Sequence, residues 1–292
     1  MQTFKWGFVG AGMIAKKALY PAISKSSVGE IYAVASRDAD RAMTISPKGL
    51  IYTDYDQMFA DPAVEGVYIS LPNAFHLPVA IKAMKAGKHV LCEKPLGMNA
   101  AEVREAIEVS EKMGVLFVEA SWNRWHPRTQ RVHEIVRSGK LGAIKRIRTA
   151  FTYSGLDDAN IRLDPTIGGG ILYDLGPYST VAPLWLLDFP KVENLSVQTV
   201  FHEGGVDETT RVNYRLGNTV CETVASCNIP DSSWFIVEGE KGSVRMGGMN
   251  AFNSHNAPSD LEIEIDGITT IENFRGCDPY QLMADAFAGR AR

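Results

Sequence analysis

The sequence contains no apolar run of the roughly 20 residues that a membrane-spanning helix requires. Its start, from Met1 to Lys5, lacks the apolar core of a secretory signal. A soluble cytoplasmic protein with no membrane partner is expected. Cysteine is scarce: Cys92, Cys221, Cys227 and Cys277 are the only four, with no C-x-x-C pair and too low a density for a disulfide framework. That scarcity suits a reducing compartment. Charge is nearly balanced, with 30 basic residues against 34 acidic ones, so no net field draws the chain to nucleic acid. No metal site is expected. His126 and His133 share a helix face only if Pro127 lies in its first turn, and no third ligand stands at a suitable spacing. Internal repeats and low-complexity tracts are also missing.

What is present is a chain of 292 residues, 45% hydrophobic, long enough for two domains. Apolar runs at Phe4–Val9, Ile31–Ala35, Gly66–Ser70, His89–Cys92 and Leu116–Ala120 alternate with helical periodicity, the pattern of a doubly wound parallel sheet. Asn99 followed by Glu102 reads as a capping box opening a helix from Ala100 to about Met113, with Val103, Ala106, Ile107 and Ser110 facing inward. From Lys145 the period shortens to two, at Lys145–Tyr153, Asn194–Phe201, Thr210–Leu216, Thr219–Ile229, Trp234–Glu238 and Leu261–Ile265, which predicts a largely antiparallel sheet. The expected fold class is therefore α/β: a Rossmann-type doubly wound sheet over residues 1–122, then an α+β domain over residues 123–292. A helix from Arg128 to Ser138 bridges them, and the cleft between the domains is the expected active site.

The first strand runs into Gly10-Ala11-Gly12-Met13-Ile14-Ala15, a G-x-G-x-x-A turn that opens a helix. Its first glycine permits the tight turn, the second lets backbone approach a pyrophosphate, and the helix N-terminus faces the phosphates. The second strand ends in Ser36-Arg37-Asp38-Ala39-Asp40-Arg41. A ribose 2′-hydroxyl calls for a carboxylate at that tip and a 2′-phosphate calls for arginine. Ser36, Arg37 and Arg41 therefore point to NADP over NAD, while Arg37 and Arg41 pairing with Asp38 and Asp40 on the surface is the plain structural alternative. A third strand closes with Leu71-Pro72-Asn73, followed by His76. Asn73 suits a helix cap or a cofactor contact, and His76 suits packing or the same contact. The central strand then delivers Glu93-Lys94-Pro95 at its carboxyl end, where open α/β sheets bind ligands.

Together with Gly168-Gly169-Gly170-Ile171-Leu172-Tyr173-Asp174-Leu175-Gly176-Pro177-Tyr178, these motifs resemble the glucose-fructose oxidoreductase / inositol dehydrogenase (Gfo/Idh/MocA) family over nearly the whole chain. Within it, the segment from Glu119 to Pro127 and Arg162-x-x-Pro165 are most similar to the dihydrodiol dehydrogenase and NADP-dependent xylose dehydrogenase branch. The resemblance implies that Lys94 and Tyr178 form a catalytic pair beside Asp174. It also implies that Gly10, Gly12, Met13, Ile14, Leu71, Pro72, Asn73, His76, Glu93, Lys94, Trp122 and Arg124 meet the cofactor, and that the protein is a homodimer or larger. The chemistry agrees: a lysine ammonium favours the phenolate of a tyrosine otherwise protonated at neutral pH, and steadies charge on the substrate oxygen. Phe151, Tyr153 and Arg162 are candidates for a wall that takes a sugar, polyol or cyclic diol, although strand aromatics are equally core. Pro177 requires the helix carrying Tyr178 either to begin near Gly176 or to kink. Compared with the family, the segment from Arg41 to Tyr52 is short, and relatives continue with a helix and strand beyond Arg292. The expected activity is hydride transfer between NADP and a secondary alcohol or its carbonyl. A nucleotide-binding sensor with little turnover is the alternative from another class.

Overall fold

Phe4, Trp6 and Phe8 alternate with Gly7 and Val9 along β1 (Phe4–Val9), and both sets are buried because a central parallel strand is covered on each face. The computed structural model that shows this describes residues 3–248, 250–252 and 254–292. It divides into two compact units, Met1–Trp122 with Asp278–Arg292, and Asn123–Cys277.

In the first unit β1 leads through a π-helical stretch, Ala15–Leu19, into α1 (Tyr20–Ser24). There follow β2 (Gly29–Ala35), α2 (Ala39–Met43), β3 (Ile51–Tyr52), α3 (Tyr55–Ala60), β4 (Gly66–Ile69), α4 (His76–Lys85), β5 (His89–Cys92), α5 (Ala100–Met113) and β6 (Phe117–Glu119). The strands lie in the order β3-β2-β1-β4-β5-β6, every pair parallel. The connections reverse between β1 and β4, and the carboxyl ends beside that point are where such sheets bind ligands. Asn99 caps α5 as expected, accepting from the Ala101 and Glu102 amides, while its own amide donates to Glu102. Ile107 does not face the core: Ala106 and Ser110 centre the buried strip, and Ile107 falls on its flank, 41% exposed.

The second unit holds α6 (Pro127–Arg137), β7 (Ile144–Thr152), α7 (Ile171–Ser179), α8 (Ala182–Leu186), β8 (Val192–Phe201), β9 (Asp207–Leu216), β10 (Thr219–Ser226), β11 (Ser232–Gly239), β12 (Gly242–Met246), β13 (Ser259–Ile265) and β14 (Ile268–Phe274). Its eight strands run β14-β13-β12-β11-β7-β10-β9-β8 and are antiparallel except for the β7–β10 pair.

The expected span of 123–292 for the second domain needs correction at its end. Residues Pro279–Arg290 form a helix, α9, that belongs to the first unit. Tyr280, Met283, Ala284, Phe287 and Ala288 form its buried stripe, and Phe287 sits 5.1 Å from the Trp6 ring and 6.1 Å from Phe4. Asp285 accepts from the Ser26 hydroxyl at 2.6 Å. This helix covers the aromatic face of β1.

Helix α6 begins at His126, whose Nδ1 accepts the Arg128 amide proton at 3.0 Å and caps the turn that Pro127 opens. Burial, reinforced by the Arg128 charge, pulls the His126 pKa down to about 4. As pH falls through the ordinary histidine value the unfolded chain takes up this proton before the folded one. The stability that neutral His126 confers is therefore complete above about pH 6.5 and is lost toward pH 4, a change of about 3 kcal/mol. In urea titrations across that range, His126→Asn, which keeps an acceptor for the cap, is expected to show a shallower acid loss than the parent. An equal slope would contradict the assignment.

Candidate active site

The carboxyl end of β5 is tied at three points. Glu93, 5% exposed, accepts from the Tyr68 hydroxyl at 2.7 Å and from the Lys94 amide at 3.3 Å. Burial pushes its pKa up, and pushes the fully buried Tyr68 up as well. The Leu96 amide donates to Glu119 at 3.1 Å, and the other Glu119 oxygen accepts from Ser121 at 2.7 Å. His76, 1% exposed, places Nδ1 2.8 Å from the Pro95 carbonyl and Nε2 2.7 Å from the Leu71 carbonyl. Burial lowers the His76 pKa, whereas the two carbonyls favour the protonated ring. The Lys94–Pro95 peptide is cis. Glu93 and His76, both expected at the cofactor, thus engage the protein's own chain and hold the turn that carries the half-buried Lys94.

At the tip of β1, Gly10 has φ +86°, and a Cβ there would stand 2.9 Å from Leu71 Cδ2 and 3.1 Å from the Ser70 carbonyl. The turn accepts only glycine, and its amide donates to the Ala35 carbonyl at 2.9 Å. Pro72 leads into a 3₁₀ turn headed by Asn73 (Asn73–Phe75). Gly12, Met13, Lys16, Lys17, Arg41 and Thr44 line an open cleft of about 250 Å³. Its cations are Arg41, an expected residue, and Lys16 and Lys17, which the motif reading passed over although they fall directly after the glycine turn. Exposed Ile14 stands next to Met13, and Arg37 is exposed beyond β2, outside the lining of that cleft. Ser36 accepts the Asp38 amide at 3.2 Å, and Asp38 caps α2 by accepting the Arg41 amide at 2.9 Å. Asp38 therefore acts as a helix cap, with its Arg41 contact stretched to 3.9 Å.

In the second unit α7 begins after Gly170, so Pro177 lies inside it and not at its start. Gly170 has φ +123°, and Asp207 Oδ1 stands 2.5 Å from where its Cβ would be. Asp207 Oδ2 accepts the Leu172 amide at 2.9 Å and so secures the first turn. One face of the helix presents Asp174 and, a turn later, the buried Tyr178. Arg162 grips Asp174 with Nε at 2.6 Å and Nη2 at 3.3 Å, and the Tyr153 hydroxyl donates to the same carboxylate at 3.2 Å. Burial works against the Arg162 charge, but Asp174 outweighs it and raises the pKa; burial with Asp174 also pushes Tyr153 up. Phe151 meets Tyr178 edge-on, centroids 5.5 Å apart at 74°. Asp174, Arg162 and Tyr153 thus form one cluster, and Tyr178 and Phe151 lie in an aromatic one. Trp122 belongs to the first unit, stacked on Tyr280 at 4.8 Å. Arg124 belongs to the second, over the rings of Trp185 and Phe189 at 5.6 and 6.0 Å. No group of three His, Cys, Asp or Glu able to hold a metal occurs among the described residues, and no helix among them is long and apolar enough to cross a membrane.

Models of the two domains of one family match this chain: the oxidoreductase family with NAD-binding Rossmann fold at residues 4–121, and the GFO/IDH/MocA C-terminal domain at residues 129–245. The chain belongs to the GFO/IDH/MocA oxidoreductase family. It is an NAD(P)-dependent oxidoreductase. It is 40% identical over 304 residues to an uncharacterized oxidoreductase of Rhizobium meliloti, covering 100% of this chain and 90% of that one. It is 35% identical to the trans-1,2-dihydrobenzene-1,2-diol dehydrogenase of Mus musculus (84% and 74% covered) and 34% identical to the D-xylose 1-dehydrogenase (NADP(+)) 2 of Haloferax volcanii (97% and 87%). Its fold is that of a 3-ketoreductase from Actinomadura kijaniata, with TM-score 0.91 at 23% identity, covering 99% and 90% of the two chains.

The Arg162–Asp174 pair is the more buried of two ion pairs that can be compared directly. A double-mutant cycle of Arg162→Leu and Asp174→Asn in urea is expected to give a coupling of about 2 kcal/mol. The same cycle on the exposed Arg146–Glu222 pair is expected to give a clearly smaller coupling, because solvent screens it. Equal couplings would contradict the geometry.

Proposed function

We propose that this protein transfers a hydride between NADP and the CH–OH carbon of a sugar, polyol or cyclic trans-diol, with Lys94 and Tyr178 serving the proton of that hydroxyl. The observation that carries the reading is Tyr178: a phenol packed against Phe151 and one helical turn from a carboxylate already bound by Arg162. Asp174, held in this way, acts as an electrostatic neighbour fixed in place. The names of the dihydrodiol and xylose relatives support the substrate class, and the NADP(+) in the name of the latter supports the coenzyme.

The residues present fit a dinucleotide. A Cβ at Gly10 would fill the space beside the Ser70 carbonyl, and Lys16, Lys17 and Arg41 give the adjoining cleft a cationic lining. Gly10, Gly12 and Met13 would face the pyrophosphate, and Ser36, Arg37 and Arg41 the 2′-phosphate. When bound, the nicotinamide accepts or donates the hydride. In the oxidative direction Tyr178 Oη takes the hydroxyl proton as hydride leaves the carbon. The Lys94 ammonium stabilises the phenolate before the step and the developing alkoxide during it. Reduction runs through the same groups in reverse, with Tyr178 returning the proton. Phe151 shapes the wall behind the phenol. Trp122 and Arg124 would meet the cofactor.

A second copy of the chain belongs to the same proposal. The apolar side chains Leu195, Val197, Val200 and Phe201 of edge strand β8 are exposed, Phe201 at 65%, and an apolar sheet edge of this kind favours association. Sedimentation should give a dimer or larger species; a monomer at micromolar concentration would remove this part.

With NADP⁺ and a panel of aldoses, inositols and cyclic trans-diols, Tyr178→Phe and Lys94→Ala are expected to lower kcat about 10²-fold or more. Both should leave the NADP Kd within about twofold, because neither change removes a phosphate contact. Arg41→Ala should weaken NADP about tenfold, or 1.4 kcal/mol, and leave NAD unchanged. Tyr178→Phe with parental kcat, or tighter NAD than NADP in the parent, would refute the reading.

A further inference from the structure

Asn250, Ala251, Phe252 and Ser254 lie between β12 and β13, in neither helix nor strand. Phe252 is nevertheless buried, with its ring 5.5 Å from Phe151, 6.2 Å from Tyr178 and 6.3 Å from Phe235. A segment without ladder pairing needs another anchor. One side chain supplies it: Arg128, 0% exposed, on the first turn of α6. Its Nη1 donates to Asn250 Oδ1 at 3.0 Å and the Asp260 carbonyl at 3.4 Å. Its Nη2 donates to the Asn250 carbonyl at 2.8 Å, the Ala251 carbonyl at 3.1 Å and Ser254 Oγ at 3.0 Å.

All five acceptors are neutral. Burying a guanidinium against neutral groups is costly, and burial lowers its pKa to about 10 even with Asp260 opposing. Four of the five bonds end on Asn250, Ala251 and Ser254. Across from Arg128, Ser233 completes the grip, with its carbonyl accepting the Ala251 amide at 3.2 Å and its Oγ the Phe252 amide at 3.0 Å. Phe252 is thus fixed on both sides while its ring faces the phenol.

We propose that Arg128 is a positioning residue: by anchoring Asn250, Ala251 and Ser254 it seats Phe252 against Tyr178 and so sets the orientation of the phenol. The inference rests on the role given to Tyr178 above.

The test compares Arg128→Met, Phe252→Ala and the double variant in the full chain. Each single change is expected to lower kcat for the alcohol about tenfold or more, because small displacements of a reacting group cost that much, with the KM for NADP⁺ unchanged. Since Arg128 acts through Phe252, the double variant should lose no more than the worse single. Losses that multiply, or parental kcat in folded Arg128→Met, would overturn the proposal. If Arg128→Met does not fold, Asn250→Ala and Ser254→Ala take its place; each is expected to lower kcat without adding to Phe252→Ala, and parental kcat in both would overturn it. Hydrogen exchange separates this proposal from the reading beneath it. The Ala251 and Phe252 amides should exchange at least about tenfold faster in Arg128→Met. Unchanged exchange sinks the anchor whatever the kinetics, whereas full activity of Tyr178→Phe sinks only the role of the phenol.

Discussion

A carboxylate taken out of water at the end of a parallel strand must be met by donors, and Glu93 is met by the Tyr68 hydroxyl and the Lys94 amide. That bond joins the ends of β4 and β5. It leaves the next side chain, Lys94, at the carboxyl edge of the sheet, the edge at which open α/β sheets bind ligands. His76 and Glu119 hold the following two residues by their backbone. Four polar contacts, one buried and three part-buried, therefore act on four consecutive residues. The hydrophobic effect builds the sheet, but these contacts hold the turn that carries Lys94.

The second unit solves the same problem with opposite means. Its Tyr178 meets the rings of Phe151 and Phe252, and the charges near it, Arg162 and Asp174, are matched to each other. A matched pair contributes direction without a large net field. The helix that carries both Asp174 and Tyr178 is secured at its start by Asp207, reaching from β9 to the Leu172 amide. Loop and sheet thus converge on one short helix, which carries Pro177 in its interior.

Much of this was legible in the residues. Continuous apolar runs separate the first unit from the period-two strands of the second, and the G-x-G-x-x-A turn marks its own surroundings because φ at Gly10 excludes other residues. What could not be read was the direction of polar side chains beyond strand ends. Glu93 and His76 carry the chemistry of cofactor contacts, yet turn inward; only the tertiary positions of Tyr68 and the Leu71 and Pro95 carbonyls decide that. Strand β14 escaped notice because Ile268 and Ile271 face solvent, so its alternation marks no buried face. Helix α9 did leave a signal, Asp278-Pro279 followed by a stripe at helical spacing. Its destination, the aromatic face of β1 some 280 residues earlier, is a matter of packing that no local pattern encodes. Arg128 is the opposite case: a charged residue in a helix start ordinarily reads as surface.

The central claim is that hydride passes directly between a CH–OH carbon and the nicotinamide. It is tested most directly by turning the protein over with NADP⁺ and a panel of aldoses and cyclic trans-diols deuterated at the carbinol carbon, then analysing the reduced nucleotide by mass spectrometry. The account predicts one deuterium per NADPH formed from the accepted substrate. Reduced nucleotide without label, or none across the panel from protein that binds NADP, would contradict it.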